Sequence, residues 1–393
     1  MENNYIPSSK VKYTSFALIA IGIAALGFGF ATGVERTWAN FLLNSYYFLT
    51  LSIGAAFFLT IQYITQSGWS AMFKRVPEAM MAFLPVGAIL LLIFLIFGSH
   101  SVYHWTHADA VANDELLQHK APYLNIPFMI ARYVLFVGSW VILAWMMRKY
   151  SLLEDEVGGL TYFQKSEFLS KVFIFVMAFS FTMGTIDWVM SVNPHWFSTL
   201  FSVKNFMAGF FHAAATITLI VLLLNKQGFF PQLNEYHRHD FSKYIFMLSI
   251  IYGYLWYSQY FLIWYANIPE ETIYYTQIRH HGWEALFFAD IAINWAFPFL
   301  FLMLNKIAKN ANALIFTAVI LFIGFWIDLY LQVMPAVAKS AGFPPSDIGF
   351  IEIGTFLGFL GIFAFVVSRA LSKAPLIAKN HPYLQESIAH KLH

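Results

Sequence analysis

Asp187-Trp-Val-Met-Ser-Val-Asn-Pro-His-Trp196 joins two long apolar runs, 168–190 and 202–224, through a short turn. Each run exceeds the about 20 mostly apolar residues that a helix needs to cross a bilayer. The pair therefore reads as two antiparallel membrane-spanning helices, and the whole chain as all-α. The stretch also sets a problem. Asp187 lies just inside the first run, and Lys204 and His212 lie in the second. Polar groups placed there are either paired or functional, because ionisable residues in a membrane are costly.

The rest of the chain repeats the pattern. Its 393 residues are 59% hydrophobic and 11% charged, with a mean hydropathy of +0.61. Soluble domains carry about 25% charged residues, so lipid is the expected solvent here. A net charge of +2 leaves no nucleic-acid footprint, and the absence of cysteine excludes disulfides, thiol chemistry and cysteine-ligated iron–sulfur clusters. The polar start, Met1 to Lys10, precedes an apolar run too long for a signal segment and without an Ala-x-Ala site, so it reads as a retained span. Ten spans are expected, at 14–33, 42–65, 79–98, 124–147, 168–190, 202–224, 242–266, 284–304, 312–334 and 348–369, in a single integral membrane domain covering 1–393. With the N-terminus placed inside, 17 of the 23 Lys and Arg residues fall on that side and 5 on the other. The positive-inside rule then puts both termini in the cytoplasm. Spans two to five (42–190) and six to nine (202–334) form two candidate four-helix bundles of like orientation, with spans one and ten peripheral.

Counting depth along each helix at about 1.5 Å per residue places Arg132, Asp187, His212, Asp290, Asp328 and Glu352 between the outer surface and the midplane. No carboxylate away from a helix end lies in the inner half. Asp187 and Lys204 stand at similar depth on adjacent helices and read as a structural ion pair, or Asp187 reads as a proton acceptor. His212 lies about 10 Å deeper by the same count, too far for a bond to Asp187. It reads as an interhelical hydrogen bond or as a proton relay, since histidine titrates near neutral pH. Asp290, Asn294 and Pro298 share one face of span eight at a spacing of four, as a proton seam or a hydrated packing face. Arg132 pairs with one of Asp187, Asp290, Asp328 or Glu352. Ser346 and Asp347 read as caps of span ten. No metal constellation is present, and a single well-buried histidine does not supply a bis-histidine haem.

Two stretches carry a resemblance. Thr185-Ile-Asp-Trp-Val-Met-Ser-Val-Asn-Pro-His-Trp-Phe-Ser-Thr-Leu-Phe201 and Gln259-Tyr-Phe-Leu-Ile-Trp-Tyr-Ala-Asn-Ile-Pro-Glu-Glu-Thr272 resemble the polysulfide-reductase-type (NrfD-like) membrane subunits. Among them they resemble the second of the two such subunits in bacterial alternative complex III. The resemblance implies a multi-pass subunit of the bacterial inner membrane, in a respiratory electron-transport complex that oxidises menaquinol or ubiquinol. Implied partners are the homologous first membrane subunit, the iron–sulfur protein, c-type haem subunits, further small membrane subunits, a cytochrome oxidase, and lipids. Haem c and the iron–sulfur clusters belong to those partners. This chain would hold no covalent cofactor, and whether a quinone touches it stays open. On that resemblance Asp187, His212, Asp290, Asn294, Asp328, Glu352 and Arg132 become candidates for a proton route or quinol pocket. A non-catalytic scaffold in the same complex, or a secondary transporter with its site between repeats, are the other readings.

Overall fold

Helix α2 (Val34–Ile64) carries Asn, Ser and Thr among its apolar residues, and almost every side chain from Thr37 to Thr60 is buried. Such a helix sits inside a bundle rather than against lipid. The computed structural model describes residues 5–391 and places α2 at the centre. The other long helices are α1 (Ser9–Thr32), α3 (Arg75–Val102), α4 (Ile126–Val157), α5 (Thr161–Trp188), α6 (Thr199–Lys226), α7 (Glu235–Ala266), α8 (Glu284–Leu302), α9 (Ala311–Ala341) and α10 (Phe350–Leu371). No strand occurs among the described residues. Nine of these helices are long and apolar enough to cross a membrane. The exception is α7, which holds the expected span 242–266. Its Tyr, Trp, Ser and Gln residues, beginning at Tyr252, lower its hydropathy.

Helices α2 to α5 each pack on the next, and α5 returns to α2; α6 to α9 close in the same way. The two units meet mainly through α2 and α6, where small residues allow close approach. A Cβ on Gly54 would lie 2.5 Å from the Gly209 carbonyl oxygen and 2.7 Å from the Ala213 Cβ. Helices α1 and α10 form a separate pair on the outside through the same device: a Cβ on Gly22 would lie 2.4 Å from the Gly358 Cα.

The end that carries most of the Lys and Arg residues is closed by the C-terminal segment 372–391. It binds the first unit through Asn380 to the Asp155 carbonyl (2.9 Å) and Ser387 to the Trp69 carbonyl (2.8 Å). It binds the second through His237 and the Ser387 carbonyl (3.0 Å), and His390 and Asp240 (2.6 Å). Beneath it lie Lys74, Arg75 and Arg148 against Glu78, Glu154 and Asp155, joined by Lys74–Glu154 (3.1 Å), Arg75–Glu78 (2.6 Å), Arg75–Asp155 and Arg148–Glu78. These cations count as loop charges in the sequence, yet they are largely buried and matched by as many carboxylates.

Two outcomes follow from this packing. Gly54→Val should lower stability by about 1–3 kcal/mol, the usual cost of overpacking, seen as a lower thermal midpoint in detergent; an unchanged midpoint would contradict the tight α2–α6 contact. His381 lies among the Tyr63, Phe163 and Tyr383 rings. Burial, then Lys74, pushes its imidazole down from an ordinary 6.5 to about 2. The docked ring therefore stays neutral while the released ring takes a proton. Docking is complete above about pH 6.5 and weakens as pH falls toward 2, by up to ~1.4 kcal/mol per pH unit. Amide exchange in 374–391, corrected for intrinsic rates, should rise between pH 7.5 and 5, and His381→Phe should reduce that rise.

Candidate functional site: a buried carboxylate pair in the second unit

Each four-helix unit ends in the same short pattern. Ile186-Asp187 precedes Val192-x-Pro194 at the end of α5, and Ile327-Asp328 precedes Val333-x-Pro335 within α9. The third helix of each unit also carries a charge at its seventh residue: Arg132 on α4, counted from Ile126, and Asp290 on α8, counted from Glu284. One position thus bears opposite charges in the two units, and their chemistry diverges from there.

In the first unit the charges close on themselves. Arg132 Nε and Nη2 donate to the two oxygens of Asp187 at 2.7 and 3.1 Å. The guanidinium lies 3.9 Å from the Tyr123 ring centroid and 4.3 Å from that of Phe128. The planar guanidinium fork matches a carboxylate, and the rings cover it. The expected pair of Asp187 with Lys204 is therefore corrected: Lys204 binds Asp328 instead. Similar depth does not decide the partner, because depth says nothing about the direction a side chain takes around its helix. Lys204 lies on the face of α6 that meets α7 and α9, with its ammonium 5.6 Å from the Tyr252 ring centroid.

In the second unit Lys204 pairs with Asp328 alone, and Asp290 lines the same small cavity with hydrogen bonds but no ion pair. Asp290 Oδ1 accepts from Tyr252 Oη at 3.0 Å and from Asn294 Nδ2 at 2.7 Å, and Oδ2 accepts from Trp256 Nε1 at 3.0 Å. Asp328 Oδ1 accepts from Lys204 and from Gln332 Nε2 at 3.1 Å. Asp328 Oδ2 and Gln332 Oε1 are buried without a protein partner. Both carboxylates line a cavity of about 20 Å³, with Lys204, Gln259, Tyr274 and Tyr275 among its other walls. That volume holds about one water molecule, and the lining offers it enough polar partners.

Local backbone features aim these groups. A π-helical turn at Ala292–Ala296 precedes Pro298 in α8. Pro298 supplies no N–H, and the wide turn rotates Asn294 into the core, a device frequent at functional sites. Asn294 Nδ2 also donates to the Gly324 carbonyl at 3.0 Å. Gly324 must lack a side chain, since a Cβ there would lie 2.2 Å from Asn294 Oδ1. The same Oδ1 lies 3.0 Å from His212 Nε2, while His212 Nδ1 lies 2.7 Å from the Ala208 carbonyl. His212 stacks on Phe325 at 4.6 Å. His212, Asn294 and Asp290 therefore form a continuous hydrogen-bonded line, and Tyr252 connects it to Lys204.

The helix Pro269–Arg279 covers the cluster. The turn after Asp187 holds it down: Trp196 stacks on Tyr274 at 4.2 Å and its Nε1 donates to the Glu271 carbonyl at 3.1 Å. Tyr275 lines both the small cavity and a second cleft of about 200 Å³, which Tyr260, Trp264, Arg279 and His280 also line.

Glu352 leaves the candidate set. It binds Arg36 at 2.7 and 2.8 Å and Asn40 at 3.0 Å, and accepts from Gly349 N at 2.9 Å, all away from the other candidates. Its role is to cap α10 and tie it to α2. The expected caps of span ten are corrected with it: the N-cap is Gly349, while Asp347 binds Arg36 at 2.8 Å and Ser346 donates to the Gly282 carbonyl. Tyr252, Trp256 and Gln332 join the site, and Lys204, singled out from the sequence, enters it through Asp328 instead of Asp187; of the three newcomers only Gln332 is signalled in advance, by its i+4 spacing from Asp328. Among the described residues no group of His, Cys, Asp and Glu is placed to hold a metal ion. No family model matches the chain, and no curated protein matches it significantly.

Breaking the sealed pair should be costly. Arg132→Gln leaves Asp187 buried without a cation and should destabilise by about 3–5 kcal/mol, measured by thermal unfolding in detergent. Arg132→Gln combined with Asp187→Asn should recover most of that loss; no recovery would show that Arg132 acts through other contacts.

Proposed function

We propose that the chain is a ten-span membrane subunit of a quinol-oxidising electron-transfer complex of the alternative complex III type, and that its second four-helix unit carries protons toward the outer face. The carrying observation is the charge count in that unit. Asp290 and Asp328 line one small cavity with a single ammonium, Lys204, which pairs with Asp328 and leaves Asp290 without an ion pair. The Coulomb penalty for two buried carboxylates beside one cation makes this cluster a binding site for one further proton. The His212–Asn294–Asp290 line reaches inward from it, and Tyr275 separates it from the outer cleft. Quinol oxidation releases protons, so such a cluster suits the outer side of the complex.

The ten-span reading needs α7 to cross as well. Its 32 residues reach about 48 Å at 1.5 Å per residue, longer than the about 30 Å hydrocarbon core. Both termini then fall on the basic, cytoplasmic side of a bacterial inner membrane. The electron carriers would lie in partner subunits: the iron–sulfur protein and the c-type haem subunits, beside the homologous membrane subunit.

A scaffold role in the same complex is the second reading, favoured by the sealed pairs Arg132–Asp187 and Arg36–Glu352. The two separate on Asp290→Asn and Asp328→Asn in the assembled complex. The proton reading predicts normal assembly with a reduced proton-to-electron ratio in proteoliposomes. Normal assembly with an unchanged ratio would overturn it in favour of the scaffold.

A further inference from the structure

A cavity of about 380 Å³ lies apart from the carboxylate pair, between the basic-side halves of α6 and α10. Leu219, Ile220 and Leu223 of α6 face Leu360, Phe363 and Val367 of α10 across it, with Phe322 of α9 at its side. The few polar side chains in the wall are Thr216, Gln227, Ser368 and Tyr5. Gln227 follows α6 and Ser368 is in the last turn of α10, so both mark the basic end of the groove. Apolar cavities do not retain water, and a groove between membrane-spanning helices is exposed to hydrocarbon chains.

Cations stand at the same ends of the helices that wall the groove: Lys226 precedes Gln227 and Arg369 follows Ser368, both lining residues. The basic ends of α1, α6 and α10 carry Lys10, Lys12, Lys226 and Arg369, and no acidic residue stands in the first turn of α1 or the last turns of α6 and α10. Among the described residues no ion pair neutralises any of these four cations, in contrast to Lys74, Arg75 and Arg148 at the same side of the protein. Basic clusters between membrane helices attract anionic headgroups, at about 1 kcal/mol per Lys or Arg near the surface.

We infer that this groove is a binding site for an anionic phospholipid of the basic-side leaflet. One acyl chain lies between α6 and α10, and the phosphate sits at the Gln227–Ser368 end among the four cations. The inference rests on the membrane-spanning character of these helices and not on the proton reading; it stands if the carboxylate pair proves purely structural.

The test is native mass spectrometry of the full chain purified in mild detergent, then delipidated and titrated with dioleoylphosphatidylglycerol or dioleoylphosphatidylcholine. Wild type should bind one phosphatidylglycerol at least tenfold more tightly than phosphatidylcholine. Ala364→Trp, which fills the groove, should abolish that tight site. Lys226→Gln with Arg369→Gln should keep a bound lipid but remove the preference; this surface variant guards against loss through misfolding, as does an unchanged thermal midpoint for each. Equal binding of the two lipids by wild type would overturn the inference, as would an unaffected site in Ala364→Trp. Co-purification of a neutral quinone in the groove, displaced by neither lipid, would overturn it too.

Discussion

A carboxylate taken out of water needs a cation or a proton, and this constraint organises the polar interior of the protein. Removing an ion from water to a low-dielectric interior costs several kcal/mol, repaid only by good geometry and full hydrogen bonding. In three of its charge groups every buried carboxylate is ion-paired. Arg132 chelates Asp187, Arg36 chelates Glu352, and on the basic side Lys74, Arg75 and Arg148 face as many carboxylates. In the fourth group Lys204 pairs with Asp328, and the buried Asp290 in the same cavity wall has hydrogen bonds but no ion pair. A buried carboxylate without an ion pair is the physical basis for proposing that the second unit is the active one.

The twin patterns at the ends of α5 and α9 explain how this imbalance arises. Both units place an Asp before Val-x-Pro on their fourth helix, and a charge at the seventh residue of their third. Arg at that third-helix position seals the first unit. Asp there doubles the negative charge of the second, and Lys204 of α6 supplies partial relief. The turn from Asp187 to Trp196 has a mechanical part in this arrangement. It ends the sealed unit and, through Trp196 on Tyr274 and Glu271, pins the helix that roofs the open one.

Much of the architecture is legible in the sequence because bilayer thickness imposes helix length and composition. Each apolar run coincides with one observed helix and overruns it by at most two residues, and the polar residues in the runs stand out as exceptions. Partners are less legible. Depth along a helix can be counted, but azimuth cannot when most faces of a helix are apolar, so depth alone matches Lys204 with Asp187 instead of Asp328. Glu352 reads as an isolated intramembrane acid because Arg36 lies more than 300 residues away in the chain. Lys74, Arg75 and Arg148 read as solvated loop charges because nothing local announces that 372–391 folds back over them. The π turn that aims Asn294 at both Asp290 and His212 has only Pro298 as a signal.

The central claim is that the second unit holds one exchangeable proton on its carboxylate pair while the first unit holds none. Infrared difference spectroscopy of the protein in lipid, comparing H₂O with D₂O, tests it directly. A deuterium-sensitive protonated-carboxyl band is predicted that disappears in Asp290→Asn and in Asp328→Asn and persists in Asp187→Asn combined with Arg132→Gln. A band absent from the wild type, or one that survives both single replacements, would contradict it.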